Sequence, residues 1–554
     1  MEEKWYSSWP PGVLRFLEPE KSLPEYLRDN ITSTPDKVAL SFYGYDMTYR
    51  ELDEAVDKFA VALANLGVKR GDRVALFMEN CPQFVISYFG TLRAGGIVVA
   101  LNPMFKHAEL EYELNDSEAE TLVALDFLYP EVEKVKDRVK LKNVILTAFR
   151  DYLPSSPTLP LPPIMDQLKV TFPETLDFLE LLHKSPLRAI RKIADLKEDI
   201  ALLQYTGGTT GLPKGAMITH HTLAHNTIGS MLWWGYTKDD VHLDTLPIFH
   251  IMGMVQSMCT PLCRGGYTVV LSRFSPEVVA QAIMQYKCTV WVTTTTSIIA
   301  LLEWPNIHKY DLSSLRIVCY GGAPISTATL AKLKQLLPKA TFGEGYGLSE
   351  ICSTAVLTPL HRPKDGFIGI PFIGTDLKIV DLETGLKEVN PNEEGEIILK
   401  GAIVMKGYWN KPQETRETLK EGWLYTGDIG KMDEEGYVSM VGRKKELIKC
   451  SGYSVFPTEV EGLLHKHPAV AEVSVIGVPD AYRGETIKAF IVLKPQYKGK
   501  IEKEEIVDWA KENMAAYKRP RMVEFREALP KSSVGKILRR VLVEEEKGKG
   551  NMAV

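Results

Sequence analysis

The sequence predicts an α/β protein: a large N-terminal domain of several subdomains, built on mostly parallel sheets flanked by helices, followed by a small C-terminal α+β domain. Three observations carry this. The chain has 554 residues, and one hydrophobic core rarely serves more than about 250–300 residues. Helical and extended patterns alternate through the N-terminal part, and repeated β-α-β units imply parallel sheet covered by helices. After residue 442 the pattern changes to two strand-like runs and one helix, enough for a separate small unit.

The elements follow in order. Leu52, Val56, Phe59, Leu63 and Leu66 recur at spacings of three and four, Gly67 ends the helix, and residues 74–77 form a short buried strand. Pro82 opens a second helix that runs through 84–93, the Gly95-Gly96 pair stops it, and 97–101 is again a strand. Pro154, Pro157, Pro160, Pro162, Pro163 and Pro173 exclude regular elements from 152–173, which becomes a surface excursion. Strands are expected at 200–205, 267–271, 289–293 and 315–319, with a helix at 276–286. In the small unit, strands are expected at 472–478 and 487–493 and a helix at 503–514, and the charged tail 544–549 is expected to be disordered.

Composition removes whole classes of function. Apolar residues are 45% and charged residues 25%, a globular balance. Lys+Arg number 66 and Asp+Glu 71, a formal charge of −5, so no global cationic field holds nucleic acid or anionic lipid. The N-terminal run MEEKWYSSWPPG lacks a signal-peptide core and no apolar run approaches a membrane span, so a cytoplasmic protein without an integral membrane segment is expected. Seven scattered cysteines (Cys81, Cys259, Cys263, Cys288, Cys319, Cys352, Cys450) form no CxxC pair and are expected to be buried thiols.

The most informative segment is YTGGTTGLPKG at 205–215. Gly207, Gly208 and Gly211 let the backbone approach an anion, Thr206, Thr209 and Thr210 add hydroxyls, and Lys214 adds charge, which together suit a polyphosphate. A Walker A loop would need Gly before the lysine and Ser or Thr after it. Here Pro213 precedes Lys214 and Gly215 follows it, so a kinase-like or GTPase-like loop is disfavoured.

Further motifs follow across nearly the whole chain: MTYREL at 47–52, PIFH at 247–250, YGGAP at 320–324, GYGLSE at 345–350 and GEIILKGAIVMKGY at 395–408. YTGD at 425–428, GRKKELIKCSGYSVFPTEVE at 442–461 and PKSSVGKILRR at 530–540 complete them. In this order they resemble the AMP-forming acyl-adenylate superfamily, which includes acyl-CoA synthetases, luciferases and peptide-synthetase adenylation domains. The resemblance implies ATP, Mg²⁺ and CoA, a first domain at 1–442, a hinge at 443–446 and a mobile C-terminal domain at 447–554.

Roles can then be laid on residues. Glu350 can hold Mg²⁺ against the phosphates, the resemblance makes Thr206 a candidate second metal contact, and Ser349, where the family usually has Thr, can donate to the α-phosphate. Tyr346 offers a face to adenine, with the Gly321-Gly322-Ala323 backbone opposite and Gly347 in the same nucleotide-binding set. Asp428 is implied to bind ribose, with Arg443 as a second contact. Lys536 can reach both the substrate carboxylate and the bridging phosphate oxygen, and so serves the first half-reaction. Lys445 matches the hinge, about which rotation would withdraw Lys536 and bring Lys449, Ser451 and Gly452 forward. Gly452 could let a pantetheine arm pass, and His250 is either an aromatic gate or a packed core residue.

Gly345 leaves room at the floor of the acid site, and Trp233, Trp234, Phe249, Met252, Met254 and Met258 offer an apolar wall, each equally suited to plain core packing. No cation is placed for a second carboxylate. A medium- or long-chain fatty acid is favoured, an aryl acid second. The thiol is expected to be free CoA, with a carrier protein as the alternative, while a luciferase-like oxygenase and a non-catalytic nucleotide-binding regulator are disfavoured. Assembly as a homodimer is left open.

Overall fold

The structure is a computed structural model that describes residues 4–187, 195–206, 212–323, 325–450, 453–480, 483–532 and 535–551. The chain packs into two compact units. One comprises Met1–Gly207, Pro213–Asp376 and Lys400–Leu424, the other Gly208–Leu212, Leu377–Leu399 and Tyr425–Val554.

Among the described residues the first unit contains two large sheets. In the nine-stranded one, Thr341–Tyr346, Ile317–Gly321, Val290–Thr294, Val241–Asp244, Tyr267–Val270 and Val38–Phe42 run parallel, and antiparallel strands close both edges. The seven-stranded sheet is parallel from Leu176–Asp177 through Ile200–Tyr205 and ends in the antiparallel strand Gly215–Thr219. The central parallel strands are buried on both faces; Thr121–Leu125 and Ile97–Ala100 are fully buried.

The helices start where their sequences tell them to. Thr48 caps Tyr49–Asn65: its Oγ1 accepts from Glu51 N at 3.2 Å while its own N donates to Glu51 Oε2 at 2.8 Å, a complete capping box. The MTYREL motif is therefore a structural signal. Pro82 stands in the first turn of Pro82–Ala94, every residue of which is buried, and Gly95 ends it with a left-handed cap. The excursion at 152–173 starts at the end of the 3₁₀ turn Phe149–Tyr152, contains a second short one, Pro163–Asp166, and is tied down by buried Leu159 and Met165.

In the second unit, Tyr453–Val455, Ile448–Cys450, Gly484–Leu493 and Val470–Asp480 form an antiparallel series, with Met522–Phe525 parallel to Gly484–Leu493. The charged tail differs from expectation. Residues 544–549 belong to the helix Arg539–Asn551. Its Leu542 is buried with Ile476, Val478, Phe490 and Leu529, and its acids find bases on distant strands: Lys488 pairs with Glu546 at 2.9 Å and Arg526 with Glu545 at 2.6 Å. All seven cysteines are free and buried, as expected. No helix among the described residues is long and apolar enough to cross a membrane.

Candidate active site

In the first unit the stem of the glycine-rich segment at 205–215 is an antiparallel pair in which Tyr205 lies opposite Gly215. Two hydrogen bonds close its stem: Thr206 N donates to Lys214 O at 3.0 Å and Lys214 N to Thr206 Oγ1 at 3.4 Å. One helix, His107–Ser117, grips both sides of the stem through residues four apart on one face. Tyr112 Oη donates to Pro213 O at 2.7 Å, and Asp116 Oδ2 accepts from Tyr205 Oη at 2.9 Å. The Lys214 ammonium stands over the ring of Tyr408, 4.2 Å from its centroid. Gly207, Gly208, Thr209 and Thr210, and likewise Ser451 and Gly452, lie outside the described residues.

Strand Thr341–Tyr346 delivers the second group of side chains. Gly345 lies beside Gly321 of the neighbouring strand, and a Cβ on Gly321 would sit 2.8 Å from Gly345 O and 3.3 Å from Met252 Cε, so this close approach requires glycine. Thr295 Oγ1 donates to Ala323 O at 2.6 Å and fixes the backbone that follows. Beyond Tyr346 the chain turns into Ser349–Ile351. Gly321–Ala323, Tyr346, Gly347, Ser349 and Glu350 thus gather at the carboxyl ends of parallel strands, the edge where open α/β sheets bind ligands. Glu350 Oε1 accepts from Tyr408 Oη at 2.8 Å. Burial pushes the Glu344 carboxyl up to about 7.

His250 lies in a turn clamped by Asn80, whose Nδ2 donates to Leu246 O at 2.7 Å and whose Oδ1 accepts from Ile248 N at 2.9 Å. Its ring is half-buried at the head of the π-helix Gly253–Cys259. The proposed apolar wall divides. Met252 reaches Gly321, and the Trp234 ring occupies the space a side chain at Gly343 would need. Trp233 donates to Thr358 O at 3.1 Å and packs on Trp9 and Phe372, which is core work. Phe249, Met254 and Met258 are buried.

In the second unit, Asp428 and Arg443 lie opposite each other on paired strands, with Arg443 Nε 2.9 Å from the buried Asp428 Oδ1. Exposed Lys445 sits between two anchored neighbours. Lys444 pairs with the buried Glu396 at 2.9 Å, whereas Glu446 pairs with Arg539, which also holds Glu461 at 2.7 Å. Lys449 is exposed, and its N donates to Glu485 Oε2 at 2.7 Å. Lys536 extends from a turn in which Ser532 N donates to Lys536 O at 2.8 Å and Lys536 N to Ser532 Oγ at 3.2 Å. Its side chain reaches solvent, yet partial withdrawal of the ammonium from water, and then the Arg443 charge, hold it below the usual lysine range against the opposing pull of Asp428 and Glu446.

Tyr408, Asp116, Tyr112, Asn80 and Arg539 were not singled out in the sequence. Tyr408 and Arg539 stand inside motifs quoted above, so their signal was present but without a partner to interpret it; the others carry no local signal.

A model of the AMP-binding enzyme family matches residues 27–409, and one of the AMP-binding enzyme C-terminal domain matches 459–536. The chain belongs to the AMP-binding enzymes. It is similar to the long-chain-fatty-acid–CoA ligases of Bacillus subtilis, at 42% identity over 98% of both chains, and of an Escherichia coli O6:H1 strain, at 36% over 99% of both. Among solved structures it is similar to the anthranilate CoA ligase AuaEII in complex with anthranoyl-AMP, with 29% identity, a TM-score of 0.86, and coverage of 96% of this chain and 98% of that one. The family drawn from the motif series is therefore borne out, and so are the α/β class and the separate small C-terminal domain of this AMP-binding enzyme.

Proposed function

We propose that the protein activates a medium- or long-chain fatty acid with ATP, giving acyl-AMP and pyrophosphate, and then passes the acyl group to CoA with release of AMP. A free carboxylate repels nucleophiles and has no usable leaving group; a mixed anhydride with AMP supplies one. The carboxylate oxygen attacks the α-phosphorus, the bond to the bridging oxygen breaks, and that oxygen leaves with pyrophosphate. The thiol sulfur then attacks the acyl carbon, and AMP departs with the carboxyl-derived oxygen.

The observation that carries this reading is the phosphate-loop stem, in which Thr206 and Lys214 are joined and Lys214 shares Tyr408 with Glu350. It supports a reading in which a cation and a carboxylate serve one phosphate-binding loop. Among the described residues no cluster of three His, Cys, Asp or Glu could hold a metal ion. A cation held by Glu350 and Thr206 would therefore draw its remaining ligands from phosphate and water, which fits Mg²⁺. Bound there, Mg²⁺ would neutralise phosphate charge. Ser349 and Tyr346 would orient the nucleotide, Asp428 and Arg443 its ribose, and Lys536 the two reacting oxygens. Rotation at Lys445 would then bring Lys449 with Ser451 and Gly452 to the thiol step, past His250. The apolar side chains at Met252 and Phe249, with no second cation evident in the sequence, support an aliphatic acid. Seven unpaired thiols suit a reducing, cytoplasmic setting.

The test is AMP release measured across acids graded in chain length and aromaticity, with and without CoA. Release that peaks with aliphatic acids and yields acyl-CoA is expected. A preference for aryl acids would replace the substrate class, and turnover without CoA would remove the acceptor.

A further inference from the structure

We propose that Tyr408 is a positioning residue that holds the two phosphate-facing charges, the Lys214 ammonium and the Glu350 carboxylate, in one arrangement. The proposal rests on the reading of those two groups given above and gives a task to the motif at 395–408, to which no chemistry has yet fallen.

A phenol can serve both charges at once, because its face is electronegative and its O–H is a donor. Here the face lies under Lys214 Nζ at 4.2 Å, and Oη donates to Glu350 Oε1 at 2.8 Å. Each charge is thereby given a neutral partner, and both stay available to a ligand. Tyr408 is buried, with its ring face and its hydroxyl each committed to one of these two partners.

The backbone around it is equally committed. Met405 N donates to Glu350 O, Met217 N to Gly407 O and Trp409 N to Gly215 O, each at 2.8 Å, so the segment is laced to both the Glu350 turn and the loop stem. Tyr408 N itself donates to Thr415 Oγ1 at 2.9 Å. Two residues past Trp409, Lys411 pairs at 2.6 Å with Asp116, the carboxylate that also accepts from Tyr205 just ahead of Thr206. One short segment therefore touches the site at Glu350 and at Lys214 and, through Asp116, is linked to the residue preceding Thr206.

The test uses the full-length protein and calorimetric titration of ATP with and without Mg²⁺, in the absence of acid. Tyr408→Phe keeps the ring and removes the donor. It should weaken Mg²⁺-dependent ATP binding roughly tenfold, the scale of one hydrogen bond to a charged group, and leave Mg²⁺-free ATP binding within about twofold. Tyr408→Leu, or Tyr408→Met should leucine fail to fold, should weaken Mg²⁺-free binding as well, because Lys214 loses its ring. A merely structural role would instead lower the melting temperature and both affinities alike in the phenylalanine variant, and that result overturns the proposal, as does an unchanged Mg²⁺-dependent affinity. Glu350→Gln separates the two levels. If it abolishes the Mg²⁺ effect while Tyr408→Phe does not alter it, only the positioning role falls; if Glu350→Gln leaves the effect intact, the reading of Glu350 falls and this proposal with it.

Discussion

Gly347 stands between Tyr346 and the Ser349–Glu350 turn, and a Cβ built there would lie 1.3 Å from Ser353 O, inside any contact distance. Backbone cannot yield that far locally, so Gly347→Ala must displace the turn that carries Ser349 and Glu350. A misplacement of about 1 Å can cost about 10²-fold in rate, and a loss of that order in acid-dependent AMP release is expected, with the melting temperature less affected. Near-normal turnover would show that the turn does not position catalysis. Two residues ahead of Tyr346, Glu344 titrates near neutrality for a different reason: burial disfavours its anion and raises it from 4.5 to about 7. A carboxyl raised on folding gives stability that is complete below its unfolded value and is lost as pH climbs through the folded one. Glu344→Gln should therefore become progressively more stable relative to wild type between about pH 5 and about pH 8, and a pH-independent difference in melting temperature would contradict the assignment. Gly347, Ser349 and Glu350 were legible in the sequence because GYGLSE packs its chemistry into six consecutive positions, whereas Glu344 just ahead of it was not. Tyr408 was not legible, since its carboxylate partner is 58 residues away and nothing local announces it.

Helices were read well where their ends carry side-chain signals and poorly where partners are remote. Pro82 and Pro276 mark the starts of Pro82–Ala94 and Pro276–Tyr286, and Gly95 marks an end. The final helix was misread as a disordered tail because its acids look unpartnered until Lys488 and Arg526 are brought to them by strands. Strand positions in the parallel sheets were close, exact at Ile200–Tyr205 and elsewhere shifted by one or two residues, since fully buried apolar runs have no period to date them. A buried charge network joins three N-terminal helices and left no pattern in the sequence. Arg93, 1% exposed at its side chain, faces Asp53 and Asp57 of Tyr49–Asn65, and Arg28 of Leu23–Ser33 approaches Asp53 at 2.8 Å. Removing the central cation leaves two buried carboxylates to share Arg28, which also lies 3.3 Å from Asp57, so Arg93→Met should destabilise the first unit by about 3–5 kcal/mol. Denaturant unfolding checks this, and a loss under about 1 kcal/mol would mean that Arg28 alone satisfies both acids.

At the scale of the whole molecule, length alone called for division, and the two half-reactions give the division a purpose. In the proposed reaction Lys536 would attend the phosphates while the adenylate forms, and a thiol would later reach the acyl carbon. The contacts about Lys445 favour a pivot there. Its predecessor Lys444 is held to Glu396, while its successor Glu446 is held to Arg539, three residues beyond Lys536, and through Arg539 to Glu461. Glu446 is thus joined through Arg539 to the segment that carries Lys536, and Lys444 to the strand that carries Glu396. Two variants separate the steps. Lys536→Ala should slow adenylate formation by about 10²–10³-fold, the usual cost of one oxyanion donor, yet spare thioester formation from supplied acyl-AMP. Lys445→Pro fixes φ and removes an N–H at the pivot, so it should do the reverse and slow the thioester step more than the first. Both half-reactions are to be measured on each variant by single-turnover release of pyrophosphate and by CoA-dependent consumption of acyl-AMP. Equal loss of both steps in Lys536→Ala would dissolve the two-state assignment, and an unaltered second step in Lys445→Pro would move the pivot elsewhere.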